Sequence, residues 1–201
     1  MKIVVYGATG MVGSKIAEAA VARGHEVTAV SRKGTDVPGT TAVAADLADT
    51  STVSALAADA DAVVFAIPTD RTDGPAQPTI DAHRAIIEAR PAARLVVVGG
   101  AGSLQVGDGL LVDAPGFPDA YKPEAQAFTQ ILTDYRASDG VDWTVVSPSP
   151  MIAPGERAGH VLGTDSPVGE SVTTTDFADA IVDELESPSY EGRRFTVASK
   201  S

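Results

Sequence analysis

The sequence predicts a doubly wound α/β domain, a mostly parallel β-sheet with helices on both faces. Three observations carry this. Short, almost wholly apolar runs alternate with helix-period segments nearly from end to end. Those runs lack the in–out alternation of a half-exposed sheet, as expected of strands covered on both sides. Gly, Asp and Pro gather just after the strand runs, where open α/β sheets place their ligands. Residues 1–201 are expected to form one domain, since domains run to roughly 100–200 residues and no linker or repeat interrupts the chain.

Residues 2–6 read as the first strand. Helix 11–23 follows, with Met11, Val12, Ile16, Ala19 and Ala20 apolar and Gly24 as its C-terminal stop. Strands 26–31 and 41–45 come next, then helix 51–58 behind the N-cap types Asp49, Thr50 and Ser51. Strand 62–67 leads to helix 75–90, which ends before Pro91, and strand 94–98 runs into Gly99-Gly100-Ala101-Gly102. The Gly/Asp/Pro-rich stretch 103–120 reads as a long loop, a feature more often functional than idle. Helix 122–137, strand 143–147 stopped by Pro148 and Pro150, a loop with one short strand over 151–169, helix 176–186 and strand 194–198 complete the pattern. Loops 103–120 and 151–175 are thus expected on the substrate side.

Composition narrows the function. With 44% apolar and 21% charged residues the chain can bury a core, which excludes disorder. The 15 Lys and Arg against 27 Asp and Glu give a net charge of −12, which argues against nucleic acid as a partner. No apolar run approaches the roughly 18–20 residues that span a bilayer, and no signal-peptide pattern opens the sequence. The absence of cysteine removes disulfides and thiolate metal sites, so a cytoplasmic location is expected. His25, His83 and His160 have no ligand spacing, so no metal is expected. Structural roles are read for the first two and a place near the substrate pocket for His160.

The most informative motif is Gly7-Ala8-Thr9-Gly10-Met11-Val12-Gly13, set between a buried strand and an amphipathic helix. Gly7 lets the chain turn off the strand, Gly10 lets backbone approach a pyrophosphate on the helix N-terminus, and Gly13 lets the helix lie close to the sheet. This is a Rossmann-type dinucleotide site. Thr9, Met11 and Val12 share its loop. Ala66-Ile67-Pro68, Gly99-Gly100 and Ser147-Pro148 end the strands beside it. The end of the second strand reads Ser31-Arg32-Lys33, with no carboxylate before Asp36. Two cations and a hydroxyl suit a 2′-phosphate, which favours NADP(H) over NAD(H).

The G-x-x-G-x-x-G spacing resembles that of extended and atypical short-chain dehydrogenase/reductase proteins. The resemblance implies that Asp46-Leu47 flanks the adenine. Typical members of that superfamily use Tyr-x-x-x-Lys as acid and pKa-lowering partner. Here Tyr121 is followed at the fourth position by Ala125, Tyr135 by Asp139 and Tyr190 by Arg194, while Lys122 lies beside Tyr121 on another side of the turn. The usual mechanism is therefore not expected. Tyr121 remains a candidate catalytic hydroxyl, as does Ser103, which follows the 99–102 glycine run where the superfamily often carries one.

Across its whole length the chain resembles the small atypical members grouped as NADH-flavin reductases and biliverdin-IXβ reductases. The marks are Gly7–Gly13, residues 97–104, Leu111-Val112-Asp113-Ala114-Pro115-Gly116-Phe117-Pro118, Asp142-Trp143-Thr144, Pro154-Gly155-Glu156-Arg157 and Arg194-Phe195-Thr196-Val197. The resemblance implies a nicotinamide-dependent reductase of a small planar acceptor, free flavin included, working as a monomer or small homo-oligomer. Such chemistry needs stacked rings rather than a protein acid. Candidate pocket walls are Met11, Ile67, Leu104, Phe117 and Met151. Arg157 is read either as an anchor for an anionic acceptor or as a brace paired with Glu156 or Asp165. The missing Tyr-x-x-x-Lys keeps a non-catalytic NADP(H)-binding redox sensor of the NmrA-like type as the alternative. A nucleotide-sugar epimerase or dehydratase would need both the acid pair and a larger C-terminal part.

Overall fold

The computed structural model of the protein describes residues 1–69 and 75–200. β1 (Lys2–Tyr6) leads through α1 (Gly13–Ala22) to β2 (Glu26–Ser31) and β3 (Thr41–Ala44); α2 (Thr50–Ala58) leads to β4 (Ala62–Phe65), and α3 (Gln77–Ala89) to β5 (Arg94–Val98). A small hairpin, β6 (Gln105–Val106) with β7 (Gly109–Leu110), precedes α4 (Lys122–Arg136) and β8 (Trp143–Pro148). β9 (Met151–Ala153), β10 (His160–Gly163) and β11 (Ser171–Thr173) then lead to α5 (Thr174–Glu186) and β12 (Arg193–Ser199).

Eight strands form the main sheet in the order β10-β12-β8-β5-β4-β1-β2-β3. All neighbours are parallel except the edge strand β10, which runs antiparallel to β12. Strand periodicity sends alternate side chains to two cores. Ile3 and Val5 of β1 join Ile16 of α1 and Phe177 and Ile181 of α5 on one face. Val4 and Tyr6 join Ile86 of α3 and Ile131 and Tyr135 of α4 on the other. The doubly wound α/β class read from the sequence is the observed one.

Differences lie in the connections. Helix α1 starts at Gly13 rather than Met11, because residues 7–12 are spent in the turn. The stretch 103–120 is not an irregular loop: 3-10 turns at Ala101–Ser103, Leu111–Asp113 and Asp119–Tyr121 flank the hairpin, and Leu104 and Val112 are buried. It packs beneath α4 as part of the core. Residues 151–169 hold two strands instead of one, and β9 pairs in parallel with β11 outside the main sheet.

The α3–α4 core contains a buried His83 whose Nδ1 shares a hydrogen bond with the Tyr135 hydroxyl at 3.1 Å. Burial pushes the histidine from 6.5 down to about 4. The folded state therefore holds His83 neutral, and the unfolded chain takes up the proton first as pH falls from 6.5 to 4. Stability is lost across that window, by about 3 kcal/mol in all. Urea unfolding from pH 7 to 4.5 should show a shallower decline in His83→Phe than in the wild type. Parallel curves would mean that other groups set the slope.

Candidate functional site

The connections from β1 and from β4 leave toward opposite edges of the sheet, so a crevice opens beyond the C-terminal ends of these two adjacent strands. The glycine turn forms its floor. Gly7 has φ 80°, and its N–H donates to Val30 O at 2.9 Å. A Cβ at Gly7 would lie 2.4 Å from Ala66 O, and one at Gly13 would lie 2.1 Å from Gly7 O. Both glycines are thus demanded by the protein's own packing. Gly10 differs: a Cβ there would meet only Gly7 O, at 3.2 Å, and the residue is exposed. Among the described residues the N–H groups of Met11, Val12 and Gly13 donate to no acceptor. Open space over Gly10 with free amides at a helix start fits a pyrophosphate. Thr9 is exposed, Met11 is 47% exposed and Val12 is half-buried, packed against the α1–α5 core.

At the end of β2, Ser31 organises the turn, its Oγ accepting from Thr35 N–H at 3.0 Å and its carbonyl from Gly34 and Ala45. Arg32 and Lys33 are exposed, and among the described residues neither has an ion pair. Asp46 is exposed and accepts from Ala48 N–H at 2.9 Å, whereas the Leu47 side chain is buried in the α3–α4 core, leaving only its backbone for a ligand. Just beyond, Asp49 caps α2, and the hydroxyls of Ser51 and Thr52 hold its carboxyl down to about 2. Across the crevice Ala66 is buried, Ile67 half-buried and Pro68 exposed. Gly99 and Gly100 are half-buried beyond β5. Ser147 and Pro148 are buried within the sheet, and among the described residues the Ser147 hydroxyl has no partner.

Several expected residues are committed elsewhere. Ser103 is buried, donates to Gly100 O at 3.3 Å and accepts from Arg194 Nη1 at 3.0 Å, so its hydroxyl ties a turn to β12. Leu104 is fully buried and cannot wall an open slot; its apolar side chain is covered by the segment expected to be a loop. Arg157 grips Asp179 of α5 through Nε at 2.6 Å and Nη2 at 3.1 Å, a brace with neither partner that the sequence suggested. Asp165 instead pairs with Arg194 and Arg136. His25 faces Glu186 at 2.8 Å and His160 faces Asp183 at 3.3 Å. Phe117 is half-buried, while Met151 and Tyr121 are 68% and 63% exposed.

The sequence reading missed one contact, at the helix position four residues after Tyr121. A Cβ on Gly102 would lie 2.5 Å from Ala125 Cβ, and Ala125 is buried. The helix position of the lysine in Tyr-x-x-x-Lys therefore lies directly against the turn after β5. Lys122 pairs with Asp119 at 2.7 Å instead of serving Tyr121. Only a small residue at 125 facing a glycine could have signalled this contact in the sequence.

Charge divides across the site. The segments leaving β5 and β8 carry Asp108, Asp113, Asp119, Glu124, Glu156, Asp165 and Glu170 against Lys122 and Arg157, both ion-paired. Arg32 and Lys33 lie beyond β2, whereas the exposed Lys200, without an ion pair among the described residues, lies against Gly159. Among the described residues no helix is long and apolar enough to cross a membrane.

A family model described as NAD(P)H-binding matches residues 7–188. YwnB, an uncharacterized protein of Bacillus subtilis (strain 168), is 36% identical over 214 residues, covering 100% of both chains. Among solved structures, a candidate exported protein from Burkholderia pseudomallei matches with TM-score 0.88 and 36% identity, over 98% of this chain and 99% of that one. A candidate NADH-flavin reductase from Streptococcus pneumoniae TIGR4 matches with TM-score 0.86 and 30% identity, over 100% of both chains.

Proposed function

The chain belongs to the NAD(P)H-binding family, and on that premise we propose that it is an NADPH-preferring reductase of a flavin or similar planar acceptor, working without a protein acid. The observation that carries this reading is the packing of Ala125 on Gly102, which puts a small buried residue, not a lysine, four positions after the exposed Tyr121. A carbonyl reduction, which needs a proton delivered to oxygen, is poorly served by such a site. A flavin is well served, because its proton can come from water once the rings are stacked. The likeness to the candidate NADH-flavin reductase of S. pneumoniae supports the same direction.

Bound nicotinamide supplies the hydride. The protein's part is to position: the amides of residues 11–13 and the open face of Gly10 take the pyrophosphate, and Arg32 and Lys33 take the 2′-phosphate. Met11, Ile67, Phe117 and Met151 offer apolar surface near the strand ends, and polarisable methionine suits varied flat ligands. Ser103 serves this reading only by holding its turn.

The test is NADPH oxidation followed at 340 nm, with and without riboflavin. Acceptor-dependent turnover well above the uncatalysed rate is expected. Tight NADPH binding without turnover over several planar acceptors would instead favour the redox sensor, which the missing acid pair also suits. Two variants refine the assignment. Arg32→Glu should weaken NADPH binding by about 1–3 kcal/mol while sparing NADH, the loss of one charge-assisted contact; equal losses on isothermal titration would remove Arg32 from the phosphate site. Tyr121→Phe should leave flavin turnover within about threefold of wild type, whereas a loss of order 10²-fold would restore the tyrosine as an acid.

A further inference from the structure

We propose that the buried hydroxyls of Ser147 and Thr196 together hold an ordered water molecule between β8 and β12, a hydration site inside the crevice end of the sheet. This site is independent of the reductase reading. Ser147 and Thr196 are both 0% exposed, and among the described residues neither hydroxyl has a hydrogen-bond partner. A buried hydroxyl left unpaired is costly, so protein interiors serve such groups with a protein partner or with water.

Their placement makes one site of the two hydroxyls. Ser147 and Thr196 are register partners on adjacent parallel strands. Val146, Phe195 and Val197 pack in the α1–α5 core, so both hydroxyl residues lie on the other face, that of α3 and α4. The row ends in a glycine on each side. Gly99 follows β5 and donates its N–H to Val146 O at 2.9 Å, and Gly163 of β10 is the register partner of Thr196. Valines close those ends: Val145 Cγ1 lies 2.9 Å from where a Cβ of Gly99 would stand, and Val168 Cγ1 2.2 Å from that of Gly163. The methyl of Thr196 is the branch that meets Gly163, at 3.3 Å from the same point.

The charged neighbour on this face selects a neutral occupant. Arg194 stands two residues before Thr196, and every N–H of its guanidinium is spent. Nη1 donates to the Ser103 carbonyl at 3.2 Å and its hydroxyl at 3.0 Å, while Nε and Nη2 serve Asp165. An anion would thus find no free guanidinium donor, and a cation would face the guanidinium itself. Water can donate to one hydroxyl and accept from the other, and it needs only such polar partners to stay.

Removing one hydroxyl separates a bridged pair from unpaired groups by the sign of the effect. Ser147→Ala and Thr196→Val should each lower Tm by about 2–6 °C, because the water loses a partner. The double variant should lose no more than the worse single one, since no hydroxyl is left to serve. A rise in Tm for either single variant would show an unpaired hydroxyl, and losses that sum would show two groups acting apart; either overturns the proposal. A high-resolution crystal structure, solved with and without NADP+, should show a density peak within hydrogen-bond distance of both hydroxyls. An anomalous peak there in crystals grown with bromide, or a direct bond from Ser147 Oγ to NADP+ or to another protein group, would equally overturn it.

Discussion

Gly13→Ala is expected to abolish NADPH binding and to destabilise the fold together, while Gly10→Ala abolishes binding alone. At Gly13 the new Cβ would lie 2.1 Å from Gly7 O, 2.7 Å from Gly7 C and 3.2 Å from Ala8 N. All three are backbone atoms of the turn, so no side chain can rotate away. Relief requires α1 to lift from β1 or the turn to open, and overpacking of this kind costs about 1–3 kcal/mol or more. The free amides at the start of α1 move with it, so the pyrophosphate loses its seat. At Gly10 the added methyl meets only Gly7 O at 3.2 Å and otherwise points into open space. Its effect on stability should be smaller than that of Gly13→Ala, because Gly7 O need give only a few tenths of an ångström. Thermal unfolding paired with NADPH fluorescence titration separates the cases. A Gly10→Ala protein that binds NADPH like wild type would take the pyrophosphate away from this turn.

Arg94→Met should cost about 3–5 kcal/mol, the usual penalty for breaking a buried pair and stranding its partner. The Arg94 side chain is 8% exposed and that of its partner Glu184 4%. Besides the Glu184 carboxylate, the guanidinium donates to Glu184 O at 3.0 Å and to Thr144 Oγ1 at 2.8 Å. Glu184 in turn accepts from the amides of Ser189 at 3.0 Å and Tyr190 at 2.9 Å, holding the approach to β12. Replacing both partners, as in Arg94→Met with Glu184→Leu, should therefore recover only part of the loss, because those two amides remain unserved. Urea denaturation of the single and double variants reads both numbers. A single variant within 1 kcal/mol of wild type would show the pair to be solvated.

Features written in adjacent residues were legible in the sequence. The glycine turn, the strand ends that border the crevice and the Ser31-Arg32-Lys33 turn depend on neighbours a few positions apart, and the fold brings them to one end of the sheet. What could not be read depends on partners remote in sequence. Ser103 accepts a hydrogen bond from Arg194, 91 residues away. Arg157 had three plausible uses on composition, and only the placement of α5 against the segment after β9 selects Asp179. Leu104 looked like a loop residue because its surroundings are Gly- and Asp-rich. The 3-10 turns and hairpin that bury it carry almost no periodic signal. Periodicity reports regular elements, and this segment packs as core without being regular.

The contact between Gly102 and Ala125 also limits what this protein can become. A lysine at 125 would start its side chain against the turn after β5 and carry a charge into a buried position, so installing the acid pair of carbonyl reductases by that one substitution should cost stability. The helix seat thus acts as an evolutionary ratchet. On the reductase reading proposed above, it would favour acceptors that supply their own proton route.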